Sequence, residues 1–124
     1  MNVVDSCGWL EYFANGGNAN FFAPAIEDTA ALIVPAISLF EVFKRILQQR
    51  SEHEALRAVA AMQQGRVIAL DETLSLSAAK LSFDLNLPMA DSLTLATARA
   101  HAATLWTQDA DFSGIPGVRY IKKT

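Results

Sequence analysis

Apolar residues along this chain follow two rhythms. Short runs, Val3-Val4, Leu32-Ile33-Val34, Val67-Ile68-Ala69-Leu70 and the stretch Thr104–Thr107 around Leu105-Trp106, are bounded by polar or turn-forming residues. Runs of that length predict buried β-strands. Val118–Ile121 predicts a short closing strand after the turn Gly114-Ile115-Pro116-Gly117. Between the runs, apolar positions recur every three or four residues. Trp9–Phe13 is a short apolar segment closed by Asn15-Gly16-Gly17-Asn18, and Ala19–Ala31 has helical composition. From Ser38 to Arg50, Leu39, Val42, Phe43, Ile46 and Leu47 share one side of a helix, with Glu41, Lys44, Arg45 and Gln48 on the other. Ser51 and Glu54 have the spacing of a capping box that opens a helix over Glu52–Gln64, with Gly65 as its stop. Leu74–Asn86 is a further helix, Pro88 a break, and Asp91–Ala102 an alanine-rich helix able to lie close against a sheet.

Strands alternating with helices call for a parallel sheet covered on both faces. The 124 residues suit one domain, 1–124, with no internal repeat, linker or low-complexity stretch. Apolar residues make up 52% and charged residues 19%, a balance that favours large buried faces and leaves room for a subunit interface. The formal net charge of −3 argues against a general nucleic-acid coat protein. Cys7 is the only cysteine, so no disulfide forms within the chain, and the thiol is expected to pack as a small hydrophobe. No basic region leads into an apolar leader, and no apolar run approaches the ~18 residues of a membrane span. A cytoplasmic location is expected.

Acids stand where strands end. Asp5 follows the first, Asp71 the third, and Asp109 with Asp111 the fourth, while Glu41 and Asp91 lie near helix starts. Each has an ordinary explanation alone. Asp91 suits the positive end of a helix dipole, Glu41 could pair with Arg45 one turn on, and Asp109 and Asp111 suit a turn.

Together they form a pattern: Val3-Val4-Asp5-Ser6, Ser38-Leu39-Phe40-Glu41-Val42, Pro88-Met89-Ala90-Asp91-Ser92 followed by Ala96, and Leu105-Trp106-Thr107-Gln108-Asp109-Ala110-Asp111-Phe112. In type, order and spacing these stretches resemble the PIN-domain ribonucleases, and among them the VapC toxins of toxin–antitoxin operons. The resemblance spans nearly the whole chain. It implies a three-layer αβα fold with a central parallel sheet of four or five strands in the order 3-2-1-4-5. Asp5, Glu41, Asp91 and Asp109 are then the implied catalytic and metal-binding acids, Asp111 a fifth metal ligand, and Ser6 and Thr107 supporting hydroxyls. Asp71 stays outside the set, because its strand lies away from the switch point.

Strands one and four are neighbours in that order, so Asp5 and Asp109 would meet where ligands bind in such sheets. Crowded carboxylates repel unless a counter-charge joins them, and a hard cation such as Mg²⁺ or Mn²⁺ takes oxygen ligands. Bound there, it would polarise a phosphodiester and acidify the attacking water. The chain has no Cys/His cluster suited to zinc, and His53 and His101 are expected on helix surfaces. The implied function is a metal-dependent endoribonuclease toxin that cuts RNA, is neutralised by a cognate antitoxin, and forms a homodimer. A PIN nuclease of RNA processing outside any toxin system is the alternative enzyme. A receiver-like signalling module with a doubly wound fold is the alternative from another class, although the acidic pair after strand one and the late lysine of such modules are missing.

Overall fold

Val3 and Val4 have no exposed surface at all, because the strand they form has neighbours on both sides. The computed structural model describes residues 1–124. Its strands are β1 (Asn2–Val4), β2 (Leu32–Pro35), β3 (Arg66–Ile68), β4 (Thr104–Thr107) and β5 (Val118–Tyr120). They form one parallel sheet in the order β3-β2-β1-β4-β5. That is the order implied by the resemblance to PIN-domain ribonucleases. It also removes the receiver-like alternative, whose sheet runs 2-1-3-4-5.

Side chains alternate across the sheet, and both faces are buried. Val4, Leu32, Val34 and Trp106 face a core shared with Trp9, Phe22, Val42 and Met62. These come from α1 (Ser6–Phe13), α2 (Ala19–Glu27), α3 (Ala36–Gln49) and α4 (Glu52–Met62). Val3, Ile33 and Leu105 face the opposite core with Leu87, Leu95, Ala98 and Phe112. On that side lie α5 (Glu72–Leu85) and α6 (Met89–Ala100), whose Leu74, Ala78, Leu93 and Ala96 interlock. Phe22 is fully buried, so truncating it to Ala would cost about 3–5 kcal/mol. Gly8 lets α1 settle against its neighbours, since a Cβ there would stand 2.6 Å from the Phe22 ring and 2.8 Å from Val4.

Several local expectations shift. The helix expected over Ala19–Ala31 ends at Glu27, and Thr29–Ala31 is a 3-10 turn. Pro24 removes one backbone donor from that helix, and Asp28 leaves helical geometry. The third strand pairs only to Ile68 rather than Leu70, because its partner β2 ends at Pro35. It is an edge strand, and Val67 is exposed rather than buried. Ser51 caps α4 by accepting the Glu54 N–H at 3.1 Å. Asp71 caps α5 by accepting the Leu74 N–H at 2.8 Å, which accounts for that acid structurally.

Candidate metal centre

The register brings the ends of β1 and β4 level. Val4 pairs with Trp106, and the Asp5 N–H donates to the Trp106 carbonyl at 3.0 Å. Asp5 is the N-cap of α1 and only 3% exposed. Its Oδ1 accepts the Ser6 N–H at 2.9 Å. Its Oδ2 accepts the Thr107 hydroxyl at 2.9 Å and the Cys7 thiol at 3.3 Å. Thr107 Oγ1 in turn accepts the Asp109 N–H at 2.9 Å. Asp109 Oδ1 accepts the Asp111 N–H at 2.9 Å, capping the 3-10 turn Ala110–Phe112. Asp91 enters from the first turn of α6. One carboxylate oxygen from each of Asp5, Asp91 and Asp109 lies within 4.8 Å of the others.

Nothing cationic in the chain balances this cluster. The two ion pairs, Arg50–Glu54 and Lys80–Asp84, join neighbours on the surfaces of other helices. Two charges at that separation repel by about 3 kcal/mol at an effective dielectric of 20, more than a typical hydrogen bond returns. Burial therefore raises the Asp91 carboxyl to about 7, with the charges of Asp5, Asp109, Asp111 and Glu41 adding to the rise. Burial also raises Asp5, against the pull of its Thr107, Cys7 and Ser6 hydrogen bonds, and Asp109 pushes it further up. Glu41 is raised by burial and then by Asp5, with Ser6 offsetting part of the rise. The Cys7 thiol is pushed up to about 12 by burial and by Asp5, so it stays protonated and donates. An all-oxygen donor set carrying uncompensated charge fits a hard divalent cation.

Of the acids singled out in the sequence, Asp5, Asp91 and Asp109 come together, while Glu41 and Asp111 lie outside the 4.8 Å cluster. Glu41 is half-buried and feels Asp5, and it forms no ion pair with Arg45. Asp111 is exposed, and its charge reaches Asp91. Ser6 contacts Asp5 through its backbone N–H, and its side chain acts on Glu41. Cys7 is a correction: it is half-buried and spends its thiol on Asp5, where an apolar packing role was expected. Its position two residues after an N-capping acid was the available signal. His53 is exposed and His101 caps α6, and neither belongs to the cluster.

A wholly parallel 3-2-1-4-5 sheet, with three carboxylates converging beyond β1 and β4, defines an α/β domain with a divalent-cation site at its switch point. The chain belongs to the PIN domain family, which it matches over residues 3–118. A toxin–antitoxin complex from Klebsiella pneumoniae contains a chain 22% identical to it, with a TM-score of 0.82 and 96% of each chain covered. VapC20 of Mycobacterium tuberculosis, a sarcin–ricin loop cleaving toxin, is 16% identical, with a TM-score of 0.77 over 94% of this chain and 95% of its own. A chain of DNA-bound VapBC from Salmonella typhimurium is 14% identical, with a TM-score of 0.74 over 98% of each. At these identities the likeness carries the fold. No curated protein matches the sequence, and no helix is long and apolar enough to cross a membrane.

Proposed function

We propose that this protein is a metal-dependent endoribonuclease that acts as the toxin of a toxin–antitoxin pair. The observation that carries the nuclease reading is the meeting of Asp5, Asp91 and Asp109 within 4.8 Å, with no basic partner, in a PIN-family chain. These three residues would hold Mg²⁺ or Mn²⁺, with Glu41 and Asp111 adding negative charge around them. When bound, the cation would polarise the phosphodiester and acidify the attacking water. Asp5 supplies a fixed oxygen, locked by Ser6, Thr107 and Cys7. Thr107 keeps Asp109 in step with Asp5. Asp91, pushed up to about 7 by burial and by its acidic neighbours, would give up its proton where a cation bound. Lys44 and Arg45 are exposed on α3, three and four residues past Glu41, and suit contacts to an RNA backbone.

The toxin reading draws support from the Klebsiella pneumoniae and Salmonella typhimurium complexes and from the Mycobacterium tuberculosis toxin. A cleft of about 470 Å³ between α1, α3 and α4 offers a place for an antitoxin helix. Leu10, Phe13, Ile46 and Ala61 line it together with Arg50 and Arg57. Self-association into a homodimer would have Leu76 at 74% and Phe83 at 89% exposure, two turns apart on α5, as apolar surface to cover. The setting is cytoplasmic.

The test pairs chemistry with context. Purified protein is incubated with total RNA in Mn²⁺, with and without EDTA, beside Asp5→Asn. Cleavage that needs Mn²⁺ and disappears in the variant is expected. Cleavage unaffected by both treatments would defeat the metal reading. Co-expression with the product of any small adjacent gene separates a toxin, whose growth arrest is relieved, from a nuclease of RNA processing, whose action is not.

A further inference from the structure

Asn18 opens α2, yet its side chain makes no cap to that helix. An Asn in this position ordinarily turns its oxygen onto the first free N–H groups. Here the residue is buried at 5% exposure, and both protons of its amide are used elsewhere. Nδ2 donates to Gln108 Oε1 at 2.9 Å and to the Lys122 carbonyl at 3.0 Å. The Asn18 N–H donates to Glu11 Oε2 at 2.8 Å. The Lys122 carbonyl can only accept, so it fixes which end of the Asn18 amide faces it, and thereby which end of Gln108 faces Asn18.

Gln108 sits between the two residues that organise the acidic cluster. Thr107 sends its hydroxyl to Asp5, Asp109 supplies a carboxylate, and the intervening side chain is tethered to Asn18. The same segment is held again by the Ile121 N–H, which donates to the Thr107 carbonyl at 3.0 Å. The chain beyond β4 is therefore gripped by the loop between α1 and α2 and by the segment that follows β5. A side chain-to-side chain bond inside a protein is worth most where both partners are shielded from water, as these are.

We infer that Asn18 is a positioning residue for the metal centre, holding the Thr107–Asp109 segment through Gln108 so that Asp109 stays in register with Asp5 and Asp91. The inference rests on the metal-centre reading above. Asn18 touches none of the three carboxylates; it acts through the backbone that carries one of them.

The experiment compares the full-length protein with Asn18→Ala, Gln108→Ala, the double variant, and Asn2→Ala as control. Asn2 also makes a long-range side-chain bond, accepting the Trp106 indole N–H at 2.8 Å, but at the far end of β1 from Asp5. Mn²⁺ is titrated calorimetrically into each apo protein at a temperature where circular dichroism shows all of them folded. Amide exchange at Asp109 is followed in parallel. Each single variant of the pair is expected to bind Mn²⁺ about tenfold more weakly. Gln108→Ala removes one bond, and Asn18→Ala removes that bond and the one to the Lys122 carbonyl, so the double variant should lose no more than Asn18→Ala alone. Asp109 exchange should quicken in those variants and stay unchanged in Asn2→Ala. If Asn18→Ala fails to fold, Gln108→Ala deletes the same bond from the other side and carries the test. Wild-type affinity in the folded variants, or an equal loss in Asn2→Ala, overturns the inference alone. A wild-type protein that takes up no Mn²⁺ overturns the nuclease reading and this inference with it.

Discussion

Thr107 gives its hydroxyl proton to Asp5 Oδ2 at 2.9 Å and, on the same oxygen, accepts the Asp109 N–H at 2.9 Å. One short side chain thus spaces two acids that come from different strands. Because the hydroxyl is buried and fully used, its angular freedom is small and the acids inherit that rigidity.

Thr107→Val keeps the shape and removes the hydroxyl. Asp5 then loses a donor, and the Asp109 N–H loses its acceptor. The expected outcome is an intact fold with Mn²⁺ affinity and RNA cleavage lowered about 10- to 100-fold, the usual cost of losing a partner that orients a ligand. Calorimetry and a fluorescent RNA cleavage assay read the two effects. Unchanged affinity would show that the carboxylates hold their places without the strut.

Crowding of the acids sets the pH dependence of the cation-free protein. Burial and its acidic neighbours push Asp91 up to about 7 from an ordinary 3.8, and Asp5 and Glu41 are shifted the same way. Between those values the native state binds protons that the unfolded chain has released, so stability falls as pH rises through the window. The melting temperature in EDTA should decline from about pH 4 to about pH 7 and level off above it, while stabilisation by Mn²⁺ grows over the same range as its ligands lose their protons. Asp91→Asn should flatten the decline. Thermal unfolding by circular dichroism at several pH values decides it; a rise in stability toward pH 7 in EDTA contradicts the crowding argument.

Glu41 and Asp91 look alike as helix-borne acids in the sequence, but only Asp91 belongs to the 4.8 Å cluster. Asp91→Asn is expected to abolish measurable Mn²⁺ binding. Glu41→Gln is expected to weaken it by about tenfold, the scale of a residue acting from outside the ligand set. Matched titrations test the ranking, and equal losses would bring Glu41 into direct coordination.

A parallel sheet covered by helices is legible because short bounded apolar runs alternate with helical ones, whereas the order 3-2-1-4-5, and with it the meeting of Asp5 and Asp109, is implied only by the resemblance to PIN-domain ribonucleases. Asp5 and Thr107 lie just past residues of known facing, so the sequence pattern alone aims both at one side of the sheet. Glu41 is harder: its helical spacing places it on a polar stripe, and only the packing of α3 shows that this part of the stripe is half-buried, beside Ser6 and within the field of Asp5. Cys7 and Asn18 are harder still. Their roles depend on hydrogen bonds to Asp5 and to Gln108 and Lys122, and the partners of Asn18 lie ninety or more positions away, where no local pattern reaches. The exposed end of the third apolar run was hidden for a related reason, since Pro35 on the neighbouring strand decides where pairing stops.

The cleft between α1, α3 and α4 permits a test that leaves the acids untouched. Ala61 lines it from α4 and is exposed, whereas Ala58, one turn earlier, is buried beneath. An arginine at position 61 would fill the cleft with a long side chain and add a third guanidinium beside Arg50 and Arg57, while leaving the sheet and the carboxylates as they are. Ala61→Arg should therefore keep Mn²⁺-dependent cleavage within about twofold, as expected for a surface change. The same change should weaken capture of a helical antitoxin by about tenfold or more, because the added bulk occupies the space the helix would take, and a steric cost of about 1.4 kcal/mol is already tenfold. Surface plasmon resonance against the cognate antitoxin, with cleavage measured on the same preparation, separates the two effects. Tight binding by the variant would move the antitoxin to another face, and loss of cleavage together with binding would mean that α4 supports the acidic site as well.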